Sequence, residues 1–236
     1  CIIAKINLIL KYKNKTFIPN IYNINFLSKI STKIFNKKFD LIATNPPWGA
    51  KSKNLYLKNF KNILSKESSS YFIVQSENFL KKDGFANYVL PESILNVSVH
   101  SDIRNFILDK FSIEEIKLWG KSFKNVFSDV VTLKLKKANN KDKIVTIKQN
   151  NKIKYINQSA YKIYSDSRFL IIDENDDKIL KYIYKNNYKN LEHSLWGLGI
   201  VTGNNLKHII NFRENAEKIY TGKDISPYLI KDTDKY

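Results

Sequence analysis

The sequence predicts an α/β fold whose sheet is largely parallel with an antiparallel edge. Three observations lead there. Apolar segments with strand and helix periodicity alternate from the first residue to about residue 119. Two further strands, 113–118 and 130–135, are joined by a loop and read as an antiparallel pair. Hydrophobic residues fill 43% of the 236 positions, enough for a packed core and too many for a disordered chain.

In chain order, residues 1–12 read as a helix. Ile2, Ile3, Ile6, Leu8, Ile9 and Leu10 give it a wide apolar face. Residues 16–24 read as a short strand. Asp40-Leu41-Ile42-Ala43-Thr44 is a buried strand that ends on the turn Asn45-Pro46-Pro47-Trp48-Gly49. Helices follow near 55–64 and 69–82, the second broken by Asp83-Gly84. A strand at 86–90 is stopped by Pro91, which has no N–H to give to a ladder. Residues 101–111 read as a helix capped by Ser101.

The character changes after Lys136. Ala138-Asn139-Asn140-Lys141-Asp142 is a polar connection. Segments 143–149 and 152–157 alternate around Asn150-Asn151, which reads as a hairpin. Residues 176–184 are helical in pattern. A new unit with Gly197, Gly199 and Gly203 starts at Leu191. The expected domains are therefore 1–137, a connecting hairpin and helix at 138–190, and 191–236.

Lys and Arg number 40 against 22 Asp and Glu, a formal charge of +18. Such a chain suits a polyanion, because each phosphate it neutralises releases counterions. The same lysine excess also follows from an AT-rich genome, so charge alone does not decide for nucleic acid. One cysteine excludes an internal disulfide and suits a reducing cytoplasm. No apolar run approaches the roughly 20 residues of a membrane span. His100, His193 and His208 are too scattered for metal-ligand spacing, so no metal is expected. Cys1 lacks a Pro-Cys context, which leaves covalent cytosine-C5 chemistry unsupported.

The turn at residues 45–48, directly after the strand 40–44, resembles the catalytic turn of the amino-group methyltransferases, and the chemistry that follows is what this resemblance implies. An adenine N6 is a poor nucleophile because its lone pair is delocalised into the ring. Acceptors that hold both N6 hydrogens draw that pair out of conjugation. The Asn45 side-chain oxygen and the Pro46 carbonyl suit this role, and two prolines stiffen the turn that aims them. Trp48 suits stacking on a base taken out of the duplex. A Pro-Pro turn with a core tryptophan is the structural alternative.

Asn45-Pro46-Pro47-Trp48 resembles the catalytic motif of the amino-group DNA methyltransferases. Further stretches resemble the N6-adenine group of the fused restriction–modification type, in its gamma motif order. Ser122-Phe123-Lys124-Asn125-Val126-Phe127 is similar to the segment that supplies a second aromatic against the target base. Phe123 is the better match by position and Phe127 the other candidate. Gly199-Ile200-Val201-Thr202-Gly203-Asn204-Asn205, with Tyr220-Thr221-Gly222-Lys223-Asp224-Ile225, resembles the opening of that group's target-recognition domain. Thr202, Asn204, Asn205 and Lys223 are its expected DNA contacts. Asn25-Phe26 and Phe72 match positions around the cofactor adenine, and Asn25 stands where an acidic residue is usual. Core packing is the alternative for both phenylalanines.

The resemblance implies part of an S-adenosylmethionine-dependent, Rossmann-like methyltransferase sheet, followed by the start of a recognition domain. It implies transfer of a methyl group to N6 of a flipped-out adenine in double-stranded DNA, in the cytoplasm. A nuclease domain or subunit of the same system is an implied partner. The glycine-rich turn and the ribose-binding acid of that fold have no match here. The chain is therefore expected to lack the first two strands and to bind the cofactor poorly by itself. Residue 1 is Cys and no Met occurs, which agrees with a piece of a longer protein. Similar motifs with an aromatic end occur in enzymes that methylate protein glutamine amides. An RNA-adenine or protein-amide methyltransferase is thus an alternative, as is a basic DNA-binding fragment without catalysis.

Overall fold

The computed structural model describes residues 1–12, 18–34, 37–51, 63–123, 128–138, 143–186, 193–195, 197, 199–201, 203–211 and 214–236. They form two compact units, residues 1–187 and 188–236. Among the described residues, no helix is long and apolar enough to cross a membrane.

The first unit opens with α1 (Ile2–Tyr12), the amphipathic helix that the apolar spacing predicts. None of its side chains is buried, and Ile2 and Ile3 are 77% and 76% exposed. Residues 18–24 form no strand, a correction to the expectation for 16–24, of which 16–17 lie outside the described residues. A strand there has no neighbour to share its backbone hydrogen bonds. The chain instead turns at Asn25, whose side-chain oxygen accepts from Leu27 N, and enters α2 (Lys29–Ile34).

β1 (Phe39–Thr44) leads to the Asn45 turn. The helix expected at 55–64 falls almost wholly outside the described residues. α3 (Ser68–Phe79) ends three residues earlier than the sequence suggests, and β2 (Leu80–Pro91) starts at once. Gly84 therefore lies inside a strand rather than breaking a helix. A Cβ there would come within 3.1 Å of the Phe39, Asp40 and Lys81 carbonyl oxygens, so close approach of β1 is what requires glycine. α4 (Ser101–Lys110) follows, but His100 occupies its N-cap position, so Ser101 is the helix's first residue and not its cap. β3 (Ser112–Gly120) and β4 (Val130–Lys136) match the two expected strands. The hairpin of β5 (Ile144–Gln149) and β6 (Lys152–Asn157) turns at Asn150, which holds a positive φ of 53°. α5 (Glu174–Lys185) starts at a capping box made by Asp173 and Asp176.

All six strands form one sheet in the order β1-β2-β4-β3-β5-β6. β1, β2, β3 and β5 run one way, while β4 and β6 run the other. β4 thus sits between β2 and β3, and β6 forms an antiparallel outer edge. One face of the sheet carries Ala86, Tyr88, Leu90, Leu133, Ile116 and Ile147 into the core, where Ile73 and Val74 of α3 and Ile103 and Ile107 of α4 cover them. The opposite face carries Phe85, Asn87, Val89, Thr132, Lys134, Lys117 and Trp119, none of them buried. This is the period-two split of a sheet with one packed face.

Arg104 is fully buried and ties the turns beyond β2 together. Its guanidinium donates to the Ile94, Val97 and Asp166 carbonyl oxygens at 2.8 to 3.1 Å. The second unit contains α6 (Asn205–His208) and the short hairpin of β7 (Ile225–Ser226) and β8 (Leu229–Ile230). Tyr236 and Ile210 exchange backbone hydrogen bonds, which closes this unit on itself.

Candidate active site

The Asn45 turn lies where β1 stops. Thr44 aligns with Tyr88 of the parallel β2, so the turn stands at the carboxyl end of both strands. In open α/β sheets that end is where ligands bind. Pro46 is buried and anchors the turn, while Asn45 and Pro47 are exposed. Gly49 follows with a φ of 64°, a left-handed conformation that lets the chain reverse beyond Trp48.

Trp48 is fixed from below. Its indole Nε1 donates to the Val89 carbonyl at 3.2 Å, on the open face of β2. Its ring meets Phe123 edge to face, with centroids 5.7 Å apart and planes at 69°. Phe123 is 44% exposed, so the pair sits at the surface and not in the core. The sequence separates these two rings by 75 positions. The sheet order joins them, because β3 ends at Gly120 beside Val130, and Val130 pairs with Pro91. The two aromatics expected to flank a base are thus brought together. Phe127, the other candidate, lies outside the described residues. Nothing in the sequence pointed to the Val89 carbonyl, since a backbone acceptor leaves no residue-type signature.

A second cluster holds the expected cofactor residues. Phe26 lies 5.0 Å from Phe72 and 5.6 Å from Phe79, centroid to centroid. Phe26 and Phe72 are only half-buried and form an aromatic wall beside the exposed Asn25. The Asn25 side-chain oxygen already accepts from Leu27 N at 2.9 Å, which leaves one lone pair for another donor. This wall suits a flat purine. The described residues contain no glycine-rich turn that would receive the rest of a nucleoside cofactor, so the fit covers its adenine end alone.

In the second unit, Asn204 caps α6 by accepting from Lys207 N. Asn205, Leu206, Ile209, Asn211, Thr221, Lys223 and Lys235 line a cavity of about 520 Å³. The two stretches singled out by sequence, around 204–205 and 221–223, therefore meet on one concave surface. Thr202 lies outside the described residues. Lys235 is committed to Asp224, whose carboxylate accepts from it at 2.6 Å and from the Thr221 hydroxyl and N–H. The Lys235 and Thr221 hydrogen bonds hold the Asp224 carboxyl well below the usual carboxylate range. Lys223 is exposed and makes no ion pair among the described residues.

The chain is 29% identical over 217 residues to the Type II methyltransferase M.VspI of Vibrio sp. (strain 343), covering 88% of this chain and 52% of that protein. It is 26% identical over 211 residues to the Type II restriction enzyme and methyltransferase RM.Eco57I of Escherichia coli, covering 80% of this chain and 20% of that protein. The chain thus spans about half of the first relative and a fifth of the second. Among solved structures it resembles a type I restriction-modification methyltransferase subunit from Streptococcus thermophilus, at 19% identity and a TM-score of 0.47 over 77% of this chain and 39% of that one. The model of the Eco57I restriction-modification methylase family matches residues 2–127, which hold the Asn45 turn, Trp48 and Phe123. The chain belongs to the Eco57I restriction-modification methylase family.

Proposed function

We propose that this chain carries the catalytic turn of a DNA methyltransferase that modifies adenine at N6. The observation that carries the reading is the Trp48–Phe123 pair, half-exposed beside the Asn45-Pro46 acceptors at the carboxyl end of β1. An extruded adenine stacks on the free face of Trp48, with Phe123 packed edge to face against that ring at the rim of the pocket. The Asn45 side-chain oxygen and the Pro46 carbonyl accept the two N6 hydrogens and localise the N6 lone pair. Pro47 keeps the turn stiff, so the acceptors need no reorganisation when the base arrives. None of these five residues titrates, and together they orient and polarise the base.

S-adenosylmethionine, when bound, supplies the methyl group as a sulfonium leaving a thioether behind. Asn25, Phe26 and Phe72 would hold its adenine. The exposed apolar face of α1 and the open outer edge of β1, where Leu41 is 61% exposed, support a sheet that continues into further strands of the same protein. Those strands would bring the glycine-rich turn that the described residues do not contain, so this chain alone is expected to bind the cofactor weakly. Double-stranded DNA is the proposed partner. Asn204, Asn205, Lys223 and Thr202 of the second unit are its further proposed contacts. The fused character of RM.Eco57I, named as both restriction enzyme and methyltransferase, favours a nuclease part in the same system. A cytoplasmic setting agrees with the single cysteine.

The test is methyl transfer to plasmid DNA from isotope-labelled S-adenosylmethionine, using the protein extended to include the missing strands. Digestion to nucleosides should place the label in N6-methyladenosine. Asn45→Ala should lower the rate on the order of 10²–10³, as removal of one polarising contact does, without loss of folding. Label absent from every nucleoside, with a folded and cofactor-bound protein, would move the acceptor to RNA or to a protein amide.

A further inference from the structure

The two ends of the sheet treat their lysines differently. At the end away from the Asn45 turn, four lysines are matched with acids at short range, while Lys82 and Lys110 meet no acid among the described residues. Lys81 pairs with Asp40 at 2.8 Å, Lys136 with Asp83 at 3.1 Å, Lys137 with Glu77 at 2.8 Å and Lys143 with Glu114 at 3.0 Å. At the end that carries the turn, matching largely stops. Lys121, just after β3, and Lys152, at the start of β6, are exposed and meet no acid among the described residues. Lys117 rests its ammonium 3.6 Å from the centroid of the half-exposed Trp119 ring, which leaves its charge uncancelled. Lys148 is the exception and pairs with Glu115.

Register places these groups in a row. Leu118 aligns with Gln149, and Gln149 with Lys152, so the Asn150-Asn151 turn projects from the same end of the sheet as Phe123 and the Asn45 turn. β1 is first in the sheet, β3 fourth, β5 fifth and β6 sixth. At roughly 4.8 Å per strand, β3 lies about 14 Å from β1, and the β5–β6 turn about 19–24 Å. One strand of duplex DNA advances about 3.4 Å per nucleotide, so this row is about four to seven nucleotides long when measured from the base pocket.

We propose that Lys121, Lys117, Lys152 and the Asn150-Asn151 turn form a track for the DNA phosphate backbone on one side of the extruded base. The track rests on the DNA reading above and extends it to a surface outside the base pocket. A lysine without an acid neighbour releases a counterion for each phosphate it meets, whereas one already in an ion pair gains little. The hairpin, which adds nothing to the base pocket, thereby acquires a purpose: it lengthens the charged end of the sheet.

The experiment compares two double variants with the same change in net charge. Lys121→Gln with Lys152→Gln neutralises the proposed track. Lys82→Gln with Lys110→Gln removes two lysines at the other end, both exposed and also without an acid among the described residues. Fluorescence anisotropy with a labelled duplex gives the slope of log K against log salt for each, and thermal melting checks that all are folded. The track variant should lose about 2 from the slope, close to one per phosphate contact, while the control keeps the slope of the unsubstituted chain. Equal slopes for the two variants overturn the track and leave DNA binding itself intact. An unsubstituted chain that binds no duplex at all overturns the DNA reading, and the track with it.

Discussion

At the scale of single residues, the site rests on groups that do not ionise, and the groups that do ionise serve the scaffold. On the proposed reading Trp48 both stacks on the base and is anchored to β2, and substitution can separate the two. Trp48→Phe keeps a stacking face but gives up the hydrogen bond to the Val89 carbonyl. It should retain part of the methyl transfer and bind a duplex carrying 2-aminopurine at the target with altered fluorescence, whereas Trp48→Ala should lose both. Equal activity in the two variants would show that the ring face contributes nothing. His100 is buried, and burial draws its pKa below the ordinary value, with Arg104 adding to the effect and Glu67 and Asp102 opposing it. The unfolded chain therefore takes up a proton that the folded chain refuses. The stability this histidine leaves intact at neutral pH is lost as pH falls through the unfolded value of about 6.5 toward the lowered folded one. Urea midpoints measured across that range should fall for the native chain and fall less for His100→Gln. Arg104→Ala strips three carbonyls, that of the buried Ile94 among them, of their charged donor and should cost about 3 kcal/mol by urea titration. That Trp48 and Phe123 belong to one candidate site was legible in advance, because their residue types suit stacking, and the structure brings the two rings together. The Asn25 turn and the Val89 acceptor were not, because both depend on where the backbone happens to pass.

Elements were legible where one pattern dominated. β3, β4 and the β5–β6 hairpin fall within a residue or two of the periodicity, since alternating side chains leave little choice of face. The boundary between α3 and β2 was misread because Gly84 looks like a helix terminator in sequence. Only the neighbouring strand reveals that its hydrogen makes room for three carbonyl oxygens. Gly84→Ala should therefore destabilise by about 1–3 kcal/mol, as overpacking does, and should be seen as a lower melting temperature. No change would mean that β1 can shift away without cost. Residues 18–24 show the converse, an apolar segment that reads as a strand yet has no ladder to join. The N-terminus of α5 follows its sequence closely, and Asp173→Ala should cost about 1 kcal/mol by removing acceptors from Asn175 N and Asp176 N.

For the whole molecule, the fold class followed from the alternation of elements, but the place of the hairpin in the main sheet did not, because strand order is a long-range property. Among the described residues no strand pairs with the outer edge of β1, and the apolar face of α1 is exposed. Purified alone, the chain should associate as concentration rises in sedimentation velocity, and a chain extended by the strands proposed above should associate less. A monomer at every concentration would show that these surfaces are already quiet. The position of β4 has a consequence for synthesis. β2 and β3 never touch as neighbours, and the strand that joins them is made after both. A ribosome that has finished Gly120 has therefore produced two sheet edges with a gap between them. Folding of this half must wait until Val130–Lys136 emerges to fill it, and any pause before that point leaves β3 seeking a partner elsewhere.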